Sequence, residues 1–185
     1  MTVNTRILLY VIIMVILTVV TLSLIIVLYN SSVVKVGIKV GDYAPNAQFT
    51  LDNGTTVNLS DFLHHGHYVL LYFAATWCSS CAYGVLTLSH YAQLLAARNV
   101  TVIILEPYND LGYSGTPVGI FVNYFAGNNS RLFIIGYASL EMTEAYDPHG
   151  YPDIYYLISP NGRIIYSNVD LSNTINGLLD VVGVG

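Results

Sequence analysis

The sequence predicts an α/β domain with a mixed sheet, set behind one apolar N-terminal helix. Three observations predict it. From Phe49 onward, short runs of β-formers alternate with runs of helical period. The last strands read as a hairpin followed by a helix, which adds antiparallel strands to a parallel set. Residues 7–29, ILLYVIIMVILTVVTLSLIIVLY, carry no charge over 23 positions.

Residues 1–6 read as a short cytoplasmic N-terminus. The apolar run at 7–29 would be about 35 Å long as a helix, enough to cross a hydrocarbon core of about 30 Å with some tilt. Thr18, Thr21 and Ser23 can bond back to their own helix, and Tyr10 and Tyr29 lie where interfacial rings are favoured. The run exceeds a signal-peptide core and no A-x-A follows it, so it reads as an uncleaved transmembrane anchor. Arg6 before the span argues for an inside N-terminus, whereas Lys35 and Lys39 lie just beyond the other end. Asn-x-Ser/Thr triplets begin at Asn30, Asn53, Asn58, Asn99 and Asn128, all after the span, which favours an extracytoplasmic C-terminal domain. Residues 30–41 read as a linker and 42–185 as the folded domain.

Within that domain, Phe49-Thr50-Leu51 and Thr56-Val57-Asn58 flank Asn53-Gly54 as a hairpin. Ser60 is a candidate cap for a short helix, and His64, His65 and His67 fall in a polar turn. Residues 68–75, YVLLYFAA, form an unbroken apolar run suited to a central strand buried on both faces. A helix to about Ala97 follows, with Cys81, Val85, Leu88, Ala92 and Leu95 spaced 4, 3, 4 and 3 apart on one stripe. Residues 100–105 are a second buried strand. Beyond a Tyr-, Gly- and Asp-rich loop, Thr116 and Pro117 open a helix to Ala126. Residues 132–135 are a third strand and 140–146 a short helix. Residues 154–159 and 163–166 pair across Pro160-Asn161-Gly162, and Ser172 caps a terminal helix.

Composition excludes two broad classes. With 54% hydrophobic and 9% charged residues the chain is not a disordered polymer. From Asp42 onward eleven acids face three bases, a formal charge of −8, which disfavours nucleic acid as a partner.

The chemistry concentrates in AATWCSSCAYG, residues 74–84, which holds the only two cysteines. As a disulfide staple the pair closes a tiny loop and constrains little chain entropy. As a zinc site it supplies half of the ligands, leaving the rest to His64, His65, His67, His90 or an acid. A redox pair explains more. Cys78 falls where a buried strand turns into a helix, so unpaired N–H groups and the helix dipole favour its thiolate. Cys81, one turn further on the apolar stripe, is shielded. Cys78 is then an exposed nucleophile of low pKa, and Cys81 the resolving thiol that frees a mixed disulfide. Trp77 would cover the site.

Four segments of residues 42–185 resemble the thioredoxin superfamily, in particular the membrane-tethered TlpA/ResA-type thiol–disulfide oxidoreductases and the redoxin/alkyl-hydroperoxide-reductase group. They are GDYAPNAQFTL at 41–51, LYFAATWCSSC at 71–81, Gly150-Tyr151-Pro152, and YLISPNGRI at 156–164. The resemblance implies a thioredoxin-like fold, with a central mixed β-sheet flanked by helices and an N-terminal hairpin extension. It implies a cis Tyr151–Pro152 bond beside the thiols, with Tyr151 and Pro152 meeting an extended client. It also implies a redox-active Cys78–Cys81 disulfide with no further cofactor and no metal, client protein thiols or disulfides, and a redox partner that the sequence leaves unidentified. Two departures stand out. The acid six residues before the first Cys is Tyr72 here, and the acid three after the second is Gly84; Glu106 is a candidate substitute.

Two relatives of the same fold give alternative functions. Sco-type copper chaperones carry C-x-x-x-C and a downstream His, while here the cysteines are one residue closer and His149 is displaced. Thiol peroxidases resemble P-x-x-x-T-x-x-C, whose Pro and Thr spacing Thr76-Trp77-Cys78 lacks.

Overall fold

The computed structural model describes residues 3–31, 35–63 and 66–183. His64 and His65, two of the candidate surface ligands, lie outside them. The chain divides into two compact units, Met1–Lys35 and Val36–Gly185.

The first unit is one helix, α1 (Val3–Ser31). Its stretch Ile7–Ile26 is long and apolar enough to cross a membrane. The Thr18, Thr21 and Ser23 hydroxyls donate to the carbonyls of Val15, Thr18 and Val19 at 2.8, 3.0 and 2.8 Å. These three hydroxyls are thus satisfied within the helix itself.

The second unit is built on a seven-stranded sheet: β1 (Gln48–Leu51), β2 (Thr56–Asn58), β3 (Tyr68–Ala74), β4 (Val100–Glu106), β5 (Phe133–Ala138), β6 (Asp153–Ile158) and β7 (Ile164–Val169). Their spatial order is β2-β1-β5-β4-β3-β6-β7. The central β5-β4-β3 set is parallel; the hairpins β1–β2 and β6–β7 extend it antiparallel at both edges. The helices are α2 (Ser79–Ala97), α3 (Val118–Ala126), α4 (Leu140–Tyr146) and α5 (Leu171–Val181).

The apolar run in β3 has its reason in this arrangement. Leu70, Tyr72 and Ala74 face a core shared with α2, α3 and α5, while Val69, Leu71 and Phe73 face a second core shared with α4 and β1. A strand buried on both faces has no polar face to alternate with. The α2 stripe Cys81, Val85, Leu88, Ala92 and Leu95 is wholly buried in the first core.

Several expectations shift in detail. Residues 36–41, expected as linker, are bonded to the second unit: the Gly41 N–H donates to the Ile164 carbonyl at 2.8 Å, and Val36 bridges to Tyr43. The Arg163 guanidinium sits 4.1 Å over the Tyr43 ring, a cation–π contact that pins this segment. Ser60 lies inside a 3-10 turn, Leu59–Phe62, entered from Asn58, whose N–H is held by the Asp61 carboxylate at 2.8 Å. Pro117, not Thr116, precedes the first helical residue of α3, because its ring fixes an extended entry. Asp170, not Ser172, precedes α5; it takes a left-handed φ of 53° that turns the chain out of β7.

Candidate active site

The end of β3 carries the cysteine pair into α2. Ala75 N–H donates to Pro152 O at 2.9 Å, tying this loop to the approach to β6. The Cys78 N–H closes a turn onto Ala75 O at 3.2 Å. Cys78 is the N-cap of α2, with extended φ and ψ of −89° and 125°. It therefore stands at the positive end of the helix dipole.

Both cysteines are free thiols, and they differ in access. Cys78 retains 9% of its surface, less exposure than the sequence suggested; Cys81 retains none. Cys78 Sγ lies 3.1 Å from Ser80 Oγ. The Cys81 thiol donates to the Pro152 carbonyl at 2.7 Å. Burial above all pushes the Cys81 pKa strongly up, and the adjacent Cys78 and the Asp153 charge push the same way. The resolving position thus holds its proton firmly while the thiols are reduced.

Asp153 is the group that sequence reasoning missed. It follows Pro152 at the start of β6, pairs with Ala74, and is 4% exposed. Its Oδ1 accepts from Leu171 N–H at 3.2 Å, whereas Oδ2 has no well-aligned hydrogen bond. Burial raises its carboxyl above the ordinary range; the Leu171 N–H and the nearby Ser80 and Tyr72 hydroxyls offset part of this. The signal available was an acid in an otherwise apolar strand, DIYYLI.

The structure also explains the two departures. Tyr72 is fully buried, and its hydroxyl donates to Cys81 O at 3.4 Å. A Cβ at Gly84 would overlap that hydroxyl. One phenol thus fills the space of a side chain at 84, so the two positions are a coupled replacement rather than two separate losses. Glu106 is not the substitute. It ends β4 beside Asp110, Thr116 and Tyr137, where burial and the Asp110 charge push it up to about 7, with no thiol among the causes.

A second carboxylate holds the residues before Cys78. Asp110, 4% exposed, accepts from Thr76 N at 2.9 Å and from Thr76 Oγ1 at 2.8 Å. Its own carbonyl accepts from Trp77 Nε1 at 2.8 Å. Asn109, Asp110 and Leu111 all take left-handed φ, at 50°, 48° and 57°. Asn and Asp tolerate this region better than most residues, whereas Leu111 costs roughly 1–2 kcal/mol there; the latch on Thr76 and Trp77 is what this turn secures. Gly115 is needed opposite, since a Cβ there would overlap Thr76 Oγ1 and Asp110 Oδ2. Trp77 stays partly exposed with its ring 4.6 Å from Tyr113.

Pro152 and Tyr151 are placed differently from expectation. The Tyr151–Pro152 bond is trans, like every peptide bond among the described residues. The reversal is made upstream instead: Gly150 takes φ 68°, and Asp147 Oδ1 accepts the Tyr151 N–H at 2.7 Å. That N–H is therefore occupied and does not face a client strand. What Pro152 brings to the thiols is its carbonyl, shared by Ala75 and Cys81. His149 packs edge-on to Tyr151 at 5.9 Å. Among the described residues no three His, Cys, Asp or Glu side chains gather as a metal site.

No curated protein matches the sequence. Several solved structures share the fold. One described as thiol:disulfide interchange protein DsbE from Chlorobium tepidum aligns with TM-score 0.59 at 21% identity, covering 80% of this chain and 100% of that one. One described as a thiol-disulfide oxidoreductase from Bacteroides vulgatus gives TM-score 0.59 at 18% identity over 78% and 97%. A reduced 2-Cys peroxiredoxin from Plasmodium vivax gives 0.52 at 20% over 77% and 79%. The redoxin family profile matches residues 39–182. The chain belongs to the redoxin family and is an oxidoreductase on the thioredoxin-like fold.

Proposed function

We propose that this chain is a membrane-tethered, extracytoplasmic thiol–disulfide oxidoreductase that works on protein clients through Cys78 and Cys81. The observation that carries the reading is the inequality of the two thiols at the head of α2, one with 9% of its surface still open and one fully buried and bonded to Pro152 O.

As a reductant the site runs in two steps. Cys78 thiolate attacks a client disulfide; a Cys78–client S–S bond forms and the second client sulfur leaves as thiolate. Cys81 then loses its proton and attacks Cys78 Sγ, forming the Cys78–Cys81 disulfide and releasing the first client sulfur. Two electrons pass to the client. Oxidation of a client dithiol is the same sequence reversed. Asp153 is a buried carboxyl whose charge acts on Cys81, and we assign it as the acceptor of the Cys81 proton. The site needs no cofactor beyond its own disulfide.

The tether reading rests on α1, with Arg6 before the span and the domain after it. The partners are client thiols or disulfides and a redox partner that sets the direction of flow.

The test is a pair of variants. Cys81→Ser accumulates client mixed disulfides, because the second step is gone; Cys78→Ser forms none and loses exchange. Equal trapping by both variants reverses or abolishes the assignment, and full activity in both removes the function.

A further inference from the structure

Helix α3 is unusual for a surface helix. Its sequence VGIFVNYFA has no charge. Phe121 and Val122 on its inner face are buried in the core, as expected. Its outer face exposes one polar residue, Asn123, and two large ring or aliphatic side chains: Ile120 and Tyr124, four apart, are 62% and 81% exposed. An uncharged helix with a second apolar stripe beside its buried one has a surface suited to a partner. Across from it, Tyr83 and Leu86 on α2, three apart, are also largely exposed. These four side chains wall a groove of about 640 Å³ that contains no charged residue. Trp77 and Cys78 belong to its lining.

We propose that this α2–α3 groove is the client-docking surface of the thiol centre, and that it selects segments with large uncharged apolar or aromatic residues beside the reacting cysteine. The inference rests on the oxidoreductase reading and adds the substrate class. The reacting sulfur is part of the groove wall, so a segment joined to Cys78 lies at the mouth of the groove. From Cys78 to Leu86 is eight residues of helix, about 12 Å. An extended chain covers that in about four residues at roughly 3.3 Å each. Specificity is therefore read within about four positions of the client cysteine. The groove volume lies in the range of ordinary binding sites, about 300–1,000 Å³. Lys, Arg, Asp or Glu would lose hydration there without gaining a partner, so charged flanks are rejected. A lipid surface or a second copy seated on the same face would shut Cys78 away from protein sulfurs, which argues against both as its occupant.

The experiment uses the full reduced chain in phosphatidylcholine vesicles and two disulfide-linked peptides. One carries Leu and Phe within four residues of its cysteine; the other carries Ser and Gln there. The second-order exchange rate favours the apolar peptide by roughly tenfold or more, the scale on which a hydrophobic pocket discriminates. In Ile120→Ser/Tyr124→Ser, and separately in Leu86→Ser, that ratio falls toward one. Equal rates for both peptides in the unaltered chain, or a ratio that survives both variants, overturns the proposal. Exchange with glutathione disulfide separates the two failures: if it proceeds while the peptide ratio is one, only the groove assignment falls, and if it is absent the oxidoreductase reading falls with it. Strong quenching of Trp77 emission by brominated lipid in the same vesicles would mark the face as a membrane contact and also overturn the proposal.

Discussion

Asp153→Asn separates the chemistry of the site from its architecture. Asn keeps the volume and can still accept the Leu171 N–H, but it neither ionises nor takes a proton. The first effect is on the step that resolves the mixed disulfide. A positioned proton acceptor contributes roughly 10²–10⁴ in rate. Cys81 bonds to Pro152 O rather than to Asp153, so the lower end applies, about 10². The second effect is on stability, with opposite sign. Burial raises the Asp153 carboxyl, so the folded state binds its proton up to a higher pH than the unfolded chain does. Below the ordinary carboxyl value of about 3.9 both states are protonated and the group contributes nothing. As pH rises from there the unfolded state ionises first and stability falls, levelling once the folded value is passed, by about 1.4 kcal/mol for each unit of elevation. The Asn variant escapes this loss. It should therefore be more stable than the native chain at pH 7, a difference that closes below about pH 3, while resolving mixed disulfides about 10² more slowly. The assay is stopped-flow release of a fluorescent client peptide from the Cys78 mixed disulfide at pH 6–8, with the thiol-alkylation rate of Cys78 as the control for the first step. Release within threefold of the native rate would refute the proton-acceptor role, and a variant less stable at pH 7 than the native chain would refute the account of Asp153 as a strained, raised acid.

Other outcomes test the supports around the thiols. Gly84→Ala should cost roughly 1–3 kcal/mol through overlap with the Tyr72 hydroxyl and ring; Tyr72→Phe should relieve only the hydroxyl's share, because the ring Cζ still lies 2.9 Å from the added Cβ, and denaturant unfolding of the double-mutant cycle measures that partial coupling. Asp110→Ala leaves the Thr76 N–H and hydroxyl buried without their acceptor, for a loss of roughly 2–4 kcal/mol, and emission from Trp77, the only tryptophan, should report loosening of its loop. For topology, a membrane-impermeant maleimide added to intact cells after mild reduction should label Cys78; labelling only after lysis would place the domain inside.

Local pattern determined much of this protein. The apolar run of β3, the α2 stripe and the hairpin turns are legible because burial on two faces, on one helical stripe, or in a tight turn each imposes its own residue choice over a few adjacent positions. The pairing of Cys78 with Cys81, and their inequality, follows in the same way from a strand running into a helix. The tertiary structure decided what depends on residues distant in sequence. Asp153 acts on Cys81 from 72 positions away because β6 lies against β3. Asp110 latches Thr76 from 34 positions away through a run of three left-handed residues, of which Leu111 is one that local preference disfavours. Tyr72 and Gly84 look like two missing acids until the phenol is seen to occupy the space beside the glycine. The trans bond at Pro152 likewise reflects a turn already completed by Gly150 and Asp147. Sequence spacing fixes what short-range sterics control; which carboxyl meets which thiol is set by sheet order and packing, which bring together groups that share no local signal.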